Sequence, residues 1–73
     1  MGVISGMDGM KLRELRHGSG KTLRQVSIES GVTENQILSI ETGKTENPGI
    51  VTLAAIASAI GCRVGDLVRN DDS

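Results

Sequence analysis

The chain has no phenylalanine, tyrosine or tryptophan, and only one cysteine, one proline and one histidine in 73 residues. Its core must therefore come from Leu, Ile, Val and Ala, and no Trp or Tyr is present to report folding or binding by fluorescence. One cysteine excludes an internal disulfide framework and a cysteine-based zinc site, which fits a reducing compartment. No apolar run approaches the roughly 20 residues that span a bilayer, and the N-terminus has neither the basic nor the apolar region of a signal peptide. The expected location is therefore cytoplasmic, without membrane association. Charge is nearly balanced, with 8 Lys and Arg against 9 Asp and Glu for a net of −1. With Leu, Ile and Val well represented, this argues against sustained disorder.

Catalytic chemistry is poorly supplied. His17 is the only imidazole, has no orienting carboxylate and nucleophile near it in sequence, and reads as a solvent-facing residue at a helix end. Cys62, between Gly61 and Arg63, reads as a small core residue. The ten glycines form no phosphate-cradling pattern after a strand-like run and read as punctuation. We expect no catalytic residue, metal, cofactor or small-molecule ligand.

What is present is regular. The length allows one domain, which buries only about 60% of the surface its unfolded chain exposes, so a second buried surface such as a dimer interface would help it. Residues 1–7 have no period and read as a loose arm or an extraneous leader, with Met7 and Met10 both plausible natural starts. The domain is expected over 8–69, followed by a frayed acidic tail over 70–73. Gly18 and Gly20, Gly31, Gly43 and Gly61 each follow a stretch that suits a helix. Asp8, Thr22 and Thr33 stand where helices would start, and Thr33 with Gln36 predicts a capping box. Pro48 and Gly49 open the longest segment, where Leu53, Ile56, Ala57 and Ile60 share one helical face. Leu12 with Leu15, Val26, and Ile37 with Ile40 mark three earlier helices, and Val64, Leu67 and Val68 suggest a short last one. The expected architecture is all-α, with five short helices and no strand.

The stretch 22–43, TLRQVSIESGVTENQILSIETG, is the most informative. Two helices of about eight residues are separated only by Gly31, Val32 and Thr33, so their axes must cross steeply. Val26, Val32, Ile37 and Ile40 fall where the helices and their neighbours close on each other. Glu34, Asn35, Leu38 and Ser39 are left on the outer face of the second helix, and a helix with short polar side chains near its N-terminus suits a B-DNA major groove.

With LRELR at 12–16, Thr22, SGVT at 30–33, Ile37, IETGK at 40–44, Pro48, LAAIASAIG at 53–61 and DL at 66–67, the segment 12–67 resembles the phage-repressor/Cro-type (Xre) helix-turn-helix domain. The resemblance implies a lambda-repressor-like fold, with the motif at about 22–42, and a homodimeric regulator that binds double-stranded DNA, most simply a repressor on a palindromic operator and nucleoid-associated when bound. Arg16 and Glu41 match a family pair that ties the first helix to the recognition helix. Glu34, Asn35 and Ser39 match positions that reach base edges. Gln36, shared between cap and bases, and Leu38, suited to a thymine methyl, join them as base-reading candidates. Phosphate contacts are expected from Lys21, Thr22, Arg24, Thr33, Thr42 and Lys44, and a dimer interface from the last two helices with Val64 and Val68.

The chain departs from the family at Leu23, where Gln is frequent, at Ser27, where Ala is usual, and at Lys21, where an apolar residue is common. Lys21 could offset Leu23 by meeting the DNA backbone. Charge is divided: residues 10–44 carry a net +2 and the remainder −3. Three phosphate contacts per subunit, from Lys21, Arg24 and Lys44, would give a log–log salt slope of about −5 for a dimer. The alternative is a protein-interaction module on the same fold, antitoxin-like, antirepressor or adaptor, which Leu23, Leu38, Glu34 and the acidic balance favour.

Overall fold

Each helix begins where a short side chain, or the chain's own geometry, releases the backbone into it. A computed structural model of the protein describes residues 4–70 and the side chains of 7–68. Helix α1 spans Gly9–Gly18, and Asp8 Oδ1 accepts from the Lys11 amide at 3.2 Å. Helix α2 spans Leu23–Ser30 and opens with a complete capping box: Thr22 Oγ1 accepts from the Gln25 amide, and Gln25 Oε1 accepts from the Thr22 amide. Helix α3 spans Glu34–Glu41 behind Thr33, and helix α4 spans Ile50–Ile60, starting after Gly49 without a side-chain cap.

The core is aliphatic apart from Met7. Leu12, Val26, Ile37, Ile40, Ile56 and Leu67 are wholly buried, joined by Met7, Val32, Leu53, Ala57, Ala59 and Ile60. Helix α2 packs against both α3 and α4, while α1 packs on α3, so α3 is supported from two sides. Among the described residues no helix is long and apolar enough to cross a membrane.

Two expectations are corrected. The fifth helix is a single 3-10 turn, Val64–Asp66. Gly65 at its centre and the β-branched Val64 are weak helix formers, and Asp66 Oδ2 accepts from the Arg63 amide at 3.0 Å, closing the turn on itself. The chain then enters a strand, so the described residues form four α-helices and a small sheet rather than five helices.

Residues 4–7, expected to be part of a loose arm, form strand β1 (Ile4–Met7), which pairs antiparallel with strand β2 (Val68–Asn70). Met7 lies opposite Val68, and the pairing is irregular between Ile4 and Gly6. A two-stranded ribbon is marginal alone. Here it is tied to the helices by the Met7 amide donating to the Glu46 carbonyl, by the Asp8 amide donating to Leu67, and by the buried Met7 side chain. Four residues containing a glycine carry too little alternation to announce a strand. Of the expected frayed tail, Asn70 ends β2, and residues 71–73, like 1–3, lie outside the described residues.

Candidate nucleic-acid interface

The turn between α2 and α3 is set by one backbone conformation. Gly31 ends α2 with φ +76°, a left-handed value that disfavours any side chain, and its amide donates to the Ser27 carbonyl. Val32 turns into the core, and Thr33 Oγ1 accepts from the Gln36 amide at 3.1 Å to start α3. Ile37, Ile40 and Glu41 are then buried, while Glu34, Asn35, Gln36 and Leu38 are exposed and Ser39 is half-buried. The helix thus presents a mainly polar ridge whose back is locked into the domain.

The lock has two parts. Arg16 and Glu41, each 7% exposed, are joined by Nε to Oε2 at 2.6 Å and Nη2 to Oε1 at 3.0 Å. Arg16 Nη1 also donates to the Lys21 carbonyl at 3.0 Å, and Nη2 lies 3.3 Å from His17 Nε2. One planar guanidinium therefore fixes α1, the 19–22 loop and the end of α3 together. The second part is Gly9. A Cβ there would meet the backbone carbonyl oxygens of Ile40 and Glu41, so α1 and α3 approach closely only because the residue has none.

Most of the residues expected to meet DNA fall into two hollows, and only Thr33 and Gln36 line neither. Asn35, Leu38, Ser39, Thr42 and Lys44 line one beside the ridge of α3. Lys21, Thr22, Arg24 and Glu34 line an open cleft with Arg16 and His17, between the end of α1 and the starts of α2 and α3. Thr22 and Thr33 use their hydroxyl oxygens as cap acceptors, which leaves each hydroxyl proton to donate outward. Thr42 is different, because its hydroxyl donates to the Leu38 carbonyl at 2.9 Å and its amide donates to the same oxygen. Arg24 and Lys44 are exposed.

Three readings shift against this geometry. Lys21 Nζ is bound to Glu29 Oε1 at 2.6 Å and to the Ala59 carbonyl, so its charge joins α2 to the end of α4 rather than facing outward alone. The capping box predicted at Thr33 has only its forward bond, which leaves the exposed Gln36 amide on the ridge. Val64 and Val68, the expected interface residues, are half-buried against the core of their own chain, so only part of each is open to a partner. Among the residues whose side chains are described, the exposed large apolar ones are Met10, Ile28, Leu38, Ile50 and Val51.

Gly9 and the Thr22–Gln25 box were missed in the sequence. The box repeats the T-x-x-Q pattern noted at 33–36 and was open to the same reasoning. Gly9 carries no local signal, since its partner carbonyls lie more than thirty residues away in the chain. Cys62 is half-buried beside the core, and burial, with the Asp66 carboxylate adding to it, pushes its thiol pKa up.

Two short helices joined by a glycine turn, the second bearing a polar ridge and locked from behind, define a helix-turn-helix DNA-binding domain. The chain belongs to the Cro/C1-type HTH DNA-binding domain family, whose model matches residues 11–72. It is 33% identical over 64 residues to the HTH-type transcriptional regulator y4dJ of Sinorhizobium fredii, covering 88% of this chain and 82% of that protein. The structure resembles the restriction-modification controller protein C.AhdI of Aeromonas hydrophila, with TM-score 0.74 and 26% identity over 80% of this chain and 86% of that one. It also resembles the clp gene regulator ClgR of C. glutamicum, with TM-score 0.71 and 33% identity over 80% and 74% of the two chains. The fold is shared with SinR, a master regulator for biofilm formation solved in complex with DNA, at TM-score 0.75 and 24% identity over 80% and 95%.

Proposed function

We propose that this protein is a cytoplasmic, sequence-specific transcriptional repressor that binds a palindromic operator as a homodimer, with α3 of each subunit in the major groove. The observation that carries the reading is the exposed ridge of Glu34, Asn35 and Gln36 on a helix whose opposite face is buried. Asn35 offers the paired donor and acceptor that match adenine, and Glu34 offers an acceptor for the amino group of cytosine. Arg24 and Lys44, with the outward hydroxyls of Thr22 and Thr33, would hold the flanking phosphates. Glu34 opposes the phosphate field, so it serves discrimination more than affinity. Of the exposed cations only Arg24 and Lys44 belong to the expected phosphate contacts, and two recognition helices about 34 Å apart would supply the binding that one cannot. The half-buried Val64 and Val68 leave little surface for a partner, so the dimer would need other apolar groups as well.

The test is selection from a randomised double-stranded DNA pool at moderate salt. Enrichment of an inverted repeat with half-site centres about one helical turn apart is the expected result. The competing reading, a protein-interaction module, is favoured by the exposed Ile28, Ile50 and Val51, which lie off the recognition helix. A folded protein that enriches no sequence would establish that reading in place of ours.

A further inference from the structure

Leu38 is the one apolar residue of α3 that the domain does not bury. Its neighbours Ile37 and Ile40 are fully enclosed, whereas Leu38 is 44% exposed on the outer face. The other exposed large apolar residues among those described, Met10, Ile28, Ile50 and Val51, sit on α1, α2 and α4. A single exposed leucine is ordinary on a protein surface. This one lines the hollow shared by Asn35, Ser39, Thr42 and Lys44, within the surface proposed to enter the groove.

We infer that Asn35 and Leu38 act as a unit that reads adenine and thymine, Asn35 pairing with an adenine edge and Leu38 packing on a thymine 5-methyl group within one base pair of it. The inference rests on α3 lying in the major groove as proposed above. The spacing suits it: three residues of helix rise about 4.5 Å, and neighbouring base pairs are about 3.4 Å apart. The two side chains therefore address the same base pair or adjacent ones.

The chemistry selects by difference. Among the four bases only thymine places a methyl group in the major groove. A leucine over guanine would strip water from O6 and N7 without replacing its hydrogen bonds, and over cytosine it would do the same to the amino group. The Thr42 hydroxyl in the same hollow is no substitute donor, because its proton is already given to the Leu38 carbonyl. Rejection of the wrong bases adds to attraction for the right one.

The experiment starts from the operator enriched by the selection. Each thymine of the half-site is replaced singly by deoxyuridine, which removes only the methyl, and binding to labelled duplex is titrated. Wild type should lose about fourfold in affinity at one thymine, and about fifteenfold when both half-sites are changed. That thymine should lie within one base pair of the adenine to which Asn35→Ala becomes indifferent. Leu38→Ala, a helix-compatible change at an exposed site whose folding circular dichroism verifies, should bind the thymine operator about as weakly as wild type binds the deoxyuridine one. It should lose nothing further on demethylation. Wild type unaffected by deoxyuridine at every position, or Leu38→Ala retaining the sensitivity, overturns the inference while leaving the operator in hand. Failure to enrich any operator removes the major-groove reading and this inference with it.

Discussion

Arg16 holds Glu41 by two parallel hydrogen bonds across 25 positions of sequence, and both side chains are almost closed off from water. Removing one partner leaves the other charge buried and unpaired, which costs about 3–5 kcal/mol, a large part of a small domain's stability. Arg16→Ala should therefore unfold much of the protein at room temperature, measured by urea titration followed by far-ultraviolet circular dichroism. A double variant, Arg16→Met with Glu41→Leu, removes both charges and should recover most of the loss. A single variant that costs under about 1 kcal/mol would mean that the pair does not hold α3.

Gly9 makes opposite predictions depending on whether packing or helix propensity dominates. In an open helix, Gly→Ala stabilises by about 1 kcal/mol. At Gly9 the new methyl would run into the carbonyl oxygens of Ile40 and Glu41, which are backbone atoms that cannot swing aside. We expect Gly9→Ala to destabilise by about 1–3 kcal/mol, a fall in Tm of several degrees. A rise in Tm would show that α1 and α3 are not in close approach. Gly18→Ala, where a Cβ meets nothing, is the matched control.

What was legible in the sequence was what repeats locally. Caps at Asp8, Thr22 and Thr33, the left-handed stop at Gly31 and the three- and four-residue apolar spacing located four helices and the turn between α2 and α3. The same periodicity separated the buried Ile37 and Ile40 from the exposed Asn35 and Leu38. Structure that depends on distant partners was not legible. Residues 4–7 become a strand only because β2 and the Glu46 carbonyl lie beside them. Val64, Leu67 and Val68 have helical spacing, but Gly65 and the Asp66 cap of Arg63 cut the helix to one 3-10 turn. The tie of Lys21 was hidden for the same reason, since its partners, Glu29 and the Ala59 carbonyl, lie 8 and 38 positions away.

The thiol of Cys62 should be a poor nucleophile at neutral pH. Burial and the nearby Asp66 carboxylate raise its pKa, so the folded state favours the neutral thiol. The sign follows: this contribution to stability is complete below the unfolded thiol pKa of about 8.5 and is lost as pH rises through the higher folded value. Alkylation of native protein at pH 7.5 should be slower than that of urea-unfolded protein by more than accessibility to a half-buried group explains. Cys62→Ala should flatten the alkaline limb of the stability profile, and an unchanged limb would remove Cys62 from that account.

Asn35 bears the most direct prediction about recognition. Asn35→Ala should weaken cognate binding by about 1–3 kcal/mol and relax preference at one base pair, with little effect on folding because the residue is exposed. Unchanged preference in a repeated selection would take Asn35 out of the reading set.

The engagement of Lys21 changes the expected response to salt. Three outward cations per subunit would release counterions from six phosphates per dimer, for a log–log slope of about −5. With Lys21 Nζ held by Glu29 and the Ala59 carbonyl, Arg24 and Lys44 carry the outward charge, and four contacts give a slope of about −4. Arg24→Ala and Lys44→Ala should each flatten the slope by about 2 in a symmetric dimer, uniformly across operator sequences. Lys21→Met should leave the slope nearly unchanged while lowering thermal stability, because it unties α2 from the end of α4. If Lys21→Met instead flattens the slope as much as Arg24→Ala does, the lysine leaves Glu29 for a phosphate when DNA binds, and the intramolecular tie belongs only to the unbound protein.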